Sequence, residues 1–184
     1  GAKELLADLD ARGFRVALIG RRREPLEETI ALTQSREALL PIPCDVADEA
    51  QVHAMAQQAR EGLGEPIVLV NCAGTNVAQR ALAELSTDDY RKVLDVNLNG
   101  AFYCVHEFLP LMRRAGNGTI VNVISDAGLT ANRVSGAAYI ASKFGLTGLT
   151  ATINAEERRH GIRACAIFPG EINTPLLDRR PNPP

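Results

Sequence analysis

The chain has 184 residues, 46% of them hydrophobic and 23% charged, and a formal net charge of −2. That is enough for one domain with a sizeable core, and the balanced charge excludes the basic footprint of a nucleic-acid binder or of a protein drawn to an acidic membrane surface. No apolar run approaches the ~20 residues of a membrane helix, and no secretory signal is visible. In chain order, Leu5, Leu6 and Leu9 have helical spacing and predict a helix over 3–12 that stops at Gly13. RVALIG, 15–20, reads as a strand. Pro25 stands where a helix would start, and 26–38 continues it. Residues 39–44 predict a short strand near a sheet edge, where Pro41 and Pro43 are tolerated. Asp48 opens a helix to 61, and 67–70 is a wholly apolar strand. Ser86-Thr87-Asp88-Asp89 predicts a capped helix start running to 114, with a kink at Pro110. Residues 119–124 predict a buried strand, 136–160 an Ala-rich helix stopped by Gly161, and 162–168 another buried strand.

Strands alternating with helices imply βαβ units. The expected fold is α/β, a doubly wound, Rossmann-type parallel sheet with helices on both faces. No internal repeat or linker divides the chain, so 1–184 reads as a single dinucleotide-binding catalytic domain. Residues 179–184 are low in complexity and are expected to be disordered. Cys44, Cys72, Cys104 and Cys165 lie far apart in apolar stretches, and the three His lack ligand spacing. Buried free thiols in a reducing compartment, the cytoplasm, are the expectation, with no metal site.

One stretch carries the chemistry: Ser125 to Lys143, SDAGLTANRVSGAAYIASK. Ser125 sits at the carboxyl end of a predicted strand, where open α/β sheets bind ligands. Tyr139 and Lys143 are four apart on the following helix and share a face. A hydroxyl, a phenol and an ammonium together make an acid–base group. The Lys charge should favour phenolate and lower the Tyr pKa. Asp126 and Arg133, in the intervening loop, could touch substrate.

This setting resembles the short-chain dehydrogenase/reductase family. The pattern is Ser-x-x-Gly, then Tyr-x-x-x-Lys in an Ala/Ser-rich helix, then Pro169-Gly170 after the next strand. The resemblance implies that Tyr139 is the general acid/base, that Lys143 holds the nicotinamide ribose, and that Ser125 orients the carbonyl or alcohol. Ile124 and Asp126 flank Ser125, where the family usually has a second Ser, so Asp126 is a departure. Asn97, an unfavourable residue in a helix interior, matches the family's Asn whose site holds a water that relays protons to the Lys. Cofactor-binding positions follow in the same way. Asn71, Ala73 and Gly74 match the turn that meets the adenosine ribose, with Cys72 in place of a usual Asn. Asp45 and Val46 match the pair that meets the adenine. Pro169, Gly170, Ile172 and Thr174 match the segment that holds the carboxamide, and Tyr139 and Lys143 also contact the nicotinamide ribose.

The end of the second family strand carries Gly20 and then Arg21-Arg22-Arg23, with no carboxylate. An acid there would pair with a ribose 2′-hydroxyl, whereas guanidinium binds a 2′-phosphate. NADP is therefore expected over NAD. The family begins with a strand and a Gly-rich loop ahead of the first helix seen here, and continues past Pro184. The chain is thus expected to be incomplete at both ends, with the further strand lying between those at 15–20 and 67–70.

The expected function is NADP-dependent hydride transfer between nicotinamide and a secondary alcohol/ketone. Alternatives are a catalytically silent dinucleotide-binding sensor or scaffold, and a dehydratase or epimerase using the same Tyr and Lys. The apolar and small residues crowding 87–114 and 137–160 imply pairing into a homodimer or homotetramer.

Overall fold

A computed structural model describes residues 8, 9, 11–31 and 38–170. Its strands are β1 (Val16–Gly20), β2 (Leu39–Pro43), β3 (Val68–Asn71), β4 (Gly118–Val123) and β5 (Ile162–Ile167). Its helices are α1 (Arg23–Ala31), α2 (Glu49–Leu63), α3 (Thr87–Leu94), α4 (Gly100–Ala115) and α5 (Ala137–Glu157). The strand pairs are all parallel, as crossover helices require. They form two sheets, β1-β2 and β3-β4-β5, with no pairing between β1 and β3 among the described residues.

The helix ends follow their capping residues. Asp48 caps α2 by accepting from Gln51 N at 3.1 Å, and Ser86 caps α3 by accepting from Asp89 N at 3.0 Å. Helix α1 begins at Arg23, two residues ahead of the expected Pro25. Pro25 still lies in the first turn, where no backbone N–H is needed. The helix expected over 3–12, the last part of that expected over 26–38, the tail 179–184, and Ile172 and Thr174 lie wholly or mostly outside the described residues.

One difference from expectation bears on the site. The long helix from Ser86 is interrupted not at Pro110, which stays inside α4, but by a π turn, Asp95–Asn99. There Gly100 N bonds back five residues to Asp95 O, so one extra residue is accommodated. The insertion turns Asn97 inward, to 1% exposure.

Side-chain alternation decides which sheet faces are covered. Ala17, Ile19, Leu40 and Ile42 pack with Val52 and Met55 of α2 and Phe108 of α4, while Gly20 faces Leu26 of α1. The β1-β2 sheet therefore has helices on both faces. On the other sheet, Ile120 and Ile162 pack with Val105 and Met112 of α4 and Ile153 of α5. Truncating fully buried Ile120 to Ala would cost about 2–5 kcal/mol. The opposite face of β3 leaves Val68 and Val70 exposed.

The cysteine expectation is half corrected. Cys44 and Cys104 are buried thiols, pushed by burial to about 11 and about 12, but Cys72 and Cys165 are exposed. An apolar stretch was a poor guide at Cys165 because alternate strand residues face outward. Among the described residues no helix is long and apolar enough to cross a membrane.

Candidate active site

The β4 strand ends at Val123, and the chain beyond it stays beside the continuation of β5. Ile124 N donates to Ile167 O at 2.8 Å, and Asp126 N donates to Pro169 O at 3.1 Å. This fixes Ser125 at the carboxyl end of the sheet and sets Pro169 against the same turn. Ser125 Oγ donates to Asp126 Oδ1 at 2.8 Å and accepts from Ala127 N at 3.2 Å.

Helix α5 returns across this edge. It starts after Gly136, whose φ of +77° favours glycine. A Cβ there would stand 2.6 Å from Arg80 Cβ and from Arg80 O. Arg80 is buried and donates to Val134 O at 3.4 Å, and Asn76 donates to Ser135 O at 3.0 Å. The segment after β3 thus clasps the approach to α5, three residues before Tyr139.

The Ser125 hydroxyl lies close enough to the Tyr139 phenol to act on its titration. Lys143 is buried, donates from Nζ to Val123 O at 3.2 Å, and stands 5.5 Å from the Tyr139 ring centroid. The structure therefore brings Ser125, Tyr139 and Lys143 together.

Their electrostatics differ from expectation. Burial raises the Tyr139 pKa, the Ser125 hydrogen bond opposes that, and the Asp126 charge adds to the rise. Burial lowers Lys143 from 10.5 to about 8, with Cys72 acting weakly the other way. The expected lowering of the phenol by Lys143 is not what this geometry produces. The ammonium is directed to a backbone carbonyl, and desolvation of the phenol dominates.

Asn97 joins the two halves of the site. Its Oδ1 accepts from Thr75 N at 2.7 Å, and its Nδ2 donates to Thr75 O at 3.0 Å and Ser142 Oγ at 3.1 Å. Ser142 Oγ in turn donates to Tyr139 O at 2.7 Å. Gly74 backs onto both Asn97 and Lys143, and a Cβ there would lie 3.7 and 3.8 Å from Oδ1 and Nζ. Ala73 and exposed Cys72 complete that turn. Asn71 differs: its amide donates to Asn122 Oδ1 at 2.9 Å, and Asn122 donates to Thr150 Oγ1 at 2.8 Å. Its side chain is thus engaged in a polar chain running across the sheet to α5.

The other cofactor candidates border an open recess of about 280 Å³, lined by Arg21, Asp45, Ala47, Asp88, Arg91, Lys92, Asp95 and Val96. Asp45 Oδ1 accepts from Ala47 N at 3.1 Å, folding the loop into a side-chain-mediated turn. Val46 is pressed against Gly100, where a Cβ would stand 2.8 Å from Val46 O. Arg22 follows Arg21, exposed and outside the recess lining. The recess sets Arg21, Arg91 and Lys92 among Asp45, Asp88 and Asp95, and Arg91 is paired with Asp88 at 3.1 Å. Sequence reading missed Ser142, Thr75, Asn76, Arg80 and the α3 cations Arg91 and Lys92. No local motif marks them, because their partners are distant in sequence.

Comparison with known proteins follows the same lines. The family model described as short chain dehydrogenase matches residues 2–183. The chain is 36% identical over 180 residues to a 2-dehydro-3-deoxy-L-rhamnonate dehydrogenase (NAD(+)) of Sphingomonas sp., covering 97% of this chain and 70% of that protein. It is 36% identical over 168 residues to a 3beta-hydroxysteroid dehydrogenase of Mediterraneibacter gnavus, covering 91% of this chain and 60% of that protein. The structure superposes on crystalline levodione reductase with a TM-score of 0.90 and 32% identity, over 96% of this chain and 69% of the other. It superposes on an alcohol dehydrogenase from the archaeon Thermococcus sibiricus, complexed with 5-hydroxy-NADP, with a TM-score of 0.85 and 25% identity, over 100% of this chain and 75% of that one. Matched over almost its whole length by sequence and by fold, the chain belongs to the short-chain dehydrogenase/reductase family, a family of oxidoreductases.

Proposed function

We propose that the protein interconverts a secondary alcohol and a ketone at the carboxyl edge of β4, with NADP as its preferred cofactor. The observation that carries this reading is the convergence of Ser125, Tyr139 and buried Lys143 on one sheet edge. When bound, the nicotinamide supplies or accepts the hydride. Tyr139 Oη carries the proton to or from the substrate oxygen, and Ser125 Oγ holds that oxygen in place. Lys143, 5.5 Å from the Tyr139 ring centroid, is the residue we assign to hold a ribose hydroxyl of the bound dinucleotide. Asn97 fixes Thr75 and Ser142, so the turn after β3 and helix α5 keep one spacing.

The NADP preference rests on Arg21, which follows β1 where an acid would favour NAD and lines a recess whose other cations, Arg91 and Lys92, are balanced by Asp45, Asp88 and Asp95. The relatives point both ways: one is named for NAD(+), another is complexed with 5-hydroxy-NADP. The cofactor reading therefore stands on this chain's own Arg21 and on the absence of an acid at Gly20. We place the protein in the cytoplasm, where buried free thiols such as Cys44 and Cys104 persist. We also expect a homodimer or homotetramer, because α3, α4 and α5 expose Tyr90, Phe102 and Phe144. A monomeric mass by light scattering at micromolar concentration would refute the assembly.

The test of the function is Tyr139→Phe in the full-length protein. Reduction of a ketone panel with NADPH should be abolished, while dinucleotide binding followed by fluorescence should remain. Near-normal turnover by the Phe variant would overturn the acid–base assignment.

A further inference from the structure

Ser125 is followed by a carboxylate that shares its hydroxyl. Asp126 Oδ1 accepts from Ser125 Oγ at 2.8 Å and from Ala127 N at 2.8 Å. Among the described residues these are its only side-chain hydrogen bonds, and both fall on one oxygen. The backbone is pinned as well: Asp126 N donates to Pro169 O, and Asp126 O accepts from Leu129 N and Thr130 N. The carboxylate is thus held at a fixed place with Oδ2 open, on an exposed residue at the rim of the site.

We propose that Asp126 directs substrate choice by accepting a hydrogen bond from a hydroxyl on the carbon next to the reacting one, so that the favoured substrates are vicinal diols and their α-hydroxyketones. The inference rests on the oxidoreductase reading of Ser125 and Tyr139 given above. Ser125 Oγ and Asp126 Oδ1 stand 2.8 Å apart, a spacing of the same order as that between oxygens on adjacent carbons, so a substrate oxygen on Ser125 sets the oxygen of the neighbouring carbon toward the carboxylate. A carboxylate only accepts, so the neighbouring group must donate. A carbonyl or carboxylate at that carbon would leave the two acceptors facing each other, so the same residue selects against diketones and α-keto acids.

The experiment compares kcat/KM for cyclohexanol and for cis- and trans-1,2-cyclohexanediol, using the full-length protein and its preferred dinucleotide. Wild type should favour one diol isomer over cyclohexanol by roughly tenfold or more, the worth of a hydrogen bond to a charged acceptor. Asp126→Ala should collapse that ratio toward one. Asp126→Asn keeps an acceptor oxygen and should restore part of it. Reading a ratio makes the result independent of any general change in rate. A ratio unchanged between wild type and Asp126→Ala, with cyclohexanol turned over, overturns this inference and leaves the oxidoreductase reading standing. Turnover of no alcohol by wild type with either NADP or NAD overturns the reading it rests on, and the inference with it.

Discussion

Asn97 and Ser142 are joined by a 3.1 Å hydrogen bond across 45 residues, and the same amide group also grips Thr75 through both its N–H and its carbonyl. The π turn exists at the point where this side chain turns inward. Asn97→Ala should therefore strip partners from two backbone groups and a hydroxyl at once. The expected loss of stability is roughly 2 kcal/mol or more. Asn97→Asp keeps the acceptor for Thr75 N but faces a carboxylate at Thr75 O, and should be no better. Denaturant titration checks this. A loss within a few tenths of a kcal/mol for Asn97→Ala would mean the clamp is replaced by water at no cost.

The surroundings of Tyr139 set the pH dependence of turnover. Alcohol oxidation needs the phenol to give up its proton first, so kcat/KM for oxidation should rise as pH climbs through its pKa. Burial and the Asp126 charge hold that pKa up, and the Ser125 hydrogen bond pulls it down. Asp126→Asn should then move the rising limb to lower pH, and Ser125→Ala should move it to higher pH while also slowing the reaction. Limbs that coincide, or that move in the same direction, would show that neither neighbour governs the phenol.

Lys143 gives the fold a cost that its function explains. Its pKa falls from 10.5 to about 8 on burial. Below pH 8 the folded protein holds a buried ammonium and bears the full cost, on the order of 3 kcal/mol. The cost shrinks as pH rises from 8 toward 10.5 and is gone above that. Lys143→Met should abolish turnover yet stabilise the chain at pH 7. The lost bond to Val123 O takes back about 1 kcal/mol, leaving a net gain of roughly 1–2 kcal/mol. Calorimetry without added dinucleotide should show a higher Tm for the Met variant at pH 7 and, with only the lost bond left to count, a slightly lower one near pH 10.5. A lower Tm at pH 7 would mean the ammonium is better solvated than its burial implies.

How much of this was legible in the sequence depended on the range of each interaction. Ser125, Tyr139 and Lys143 were readable because each takes its place from local rules: a strand end, and an i,i+4 helix face. Asn97 could be singled out because Asn is out of place inside a helix. Its partners were not readable, since Thr75 and Ser142 lie 22 and 45 residues away and neither forms a motif with it. The π turn was hidden for a similar reason. Nothing local competes with Pro110 as a break signal, while the inward turn of Asn97 is decided by tertiary contacts. The phenol's pKa was misjudged because the sequence displays the Lys charge but not the desolvation of the ring.

The cofactor preference offers the sharpest contrast between attraction and repulsion. If Arg21 grips a 2′-phosphate, Arg21→Ala should weaken NADPH use far more than NADH use. A charged hydrogen bond of this kind is worth about 1.5–3 kcal/mol, or about ten- to a hundredfold in affinity. Lys92 lines the same recess and Arg22 is adjacent, so a single removal should fall near the tenfold end. Gly20→Asp should go further. It places a carboxylate at the end of β1, repelling the phosphate and offering the 2′-hydroxyl of NADH an acceptor. The added Cβ would stand 3.1 Å from Leu26 Cδ2, so the tip of that side chain must give by a few tenths of an ångström, which a flexible leucine end can do. The measurement is kcat/KM for both cofactors in wild type, Arg21→Ala and Gly20→Asp, in the full-length protein. The NADPH/NADH ratio should fall in that order and invert in Gly20→Asp. A wild type that prefers NADH, or a ratio that stays flat across the three, would mean that the basic recess is only a solvated surface.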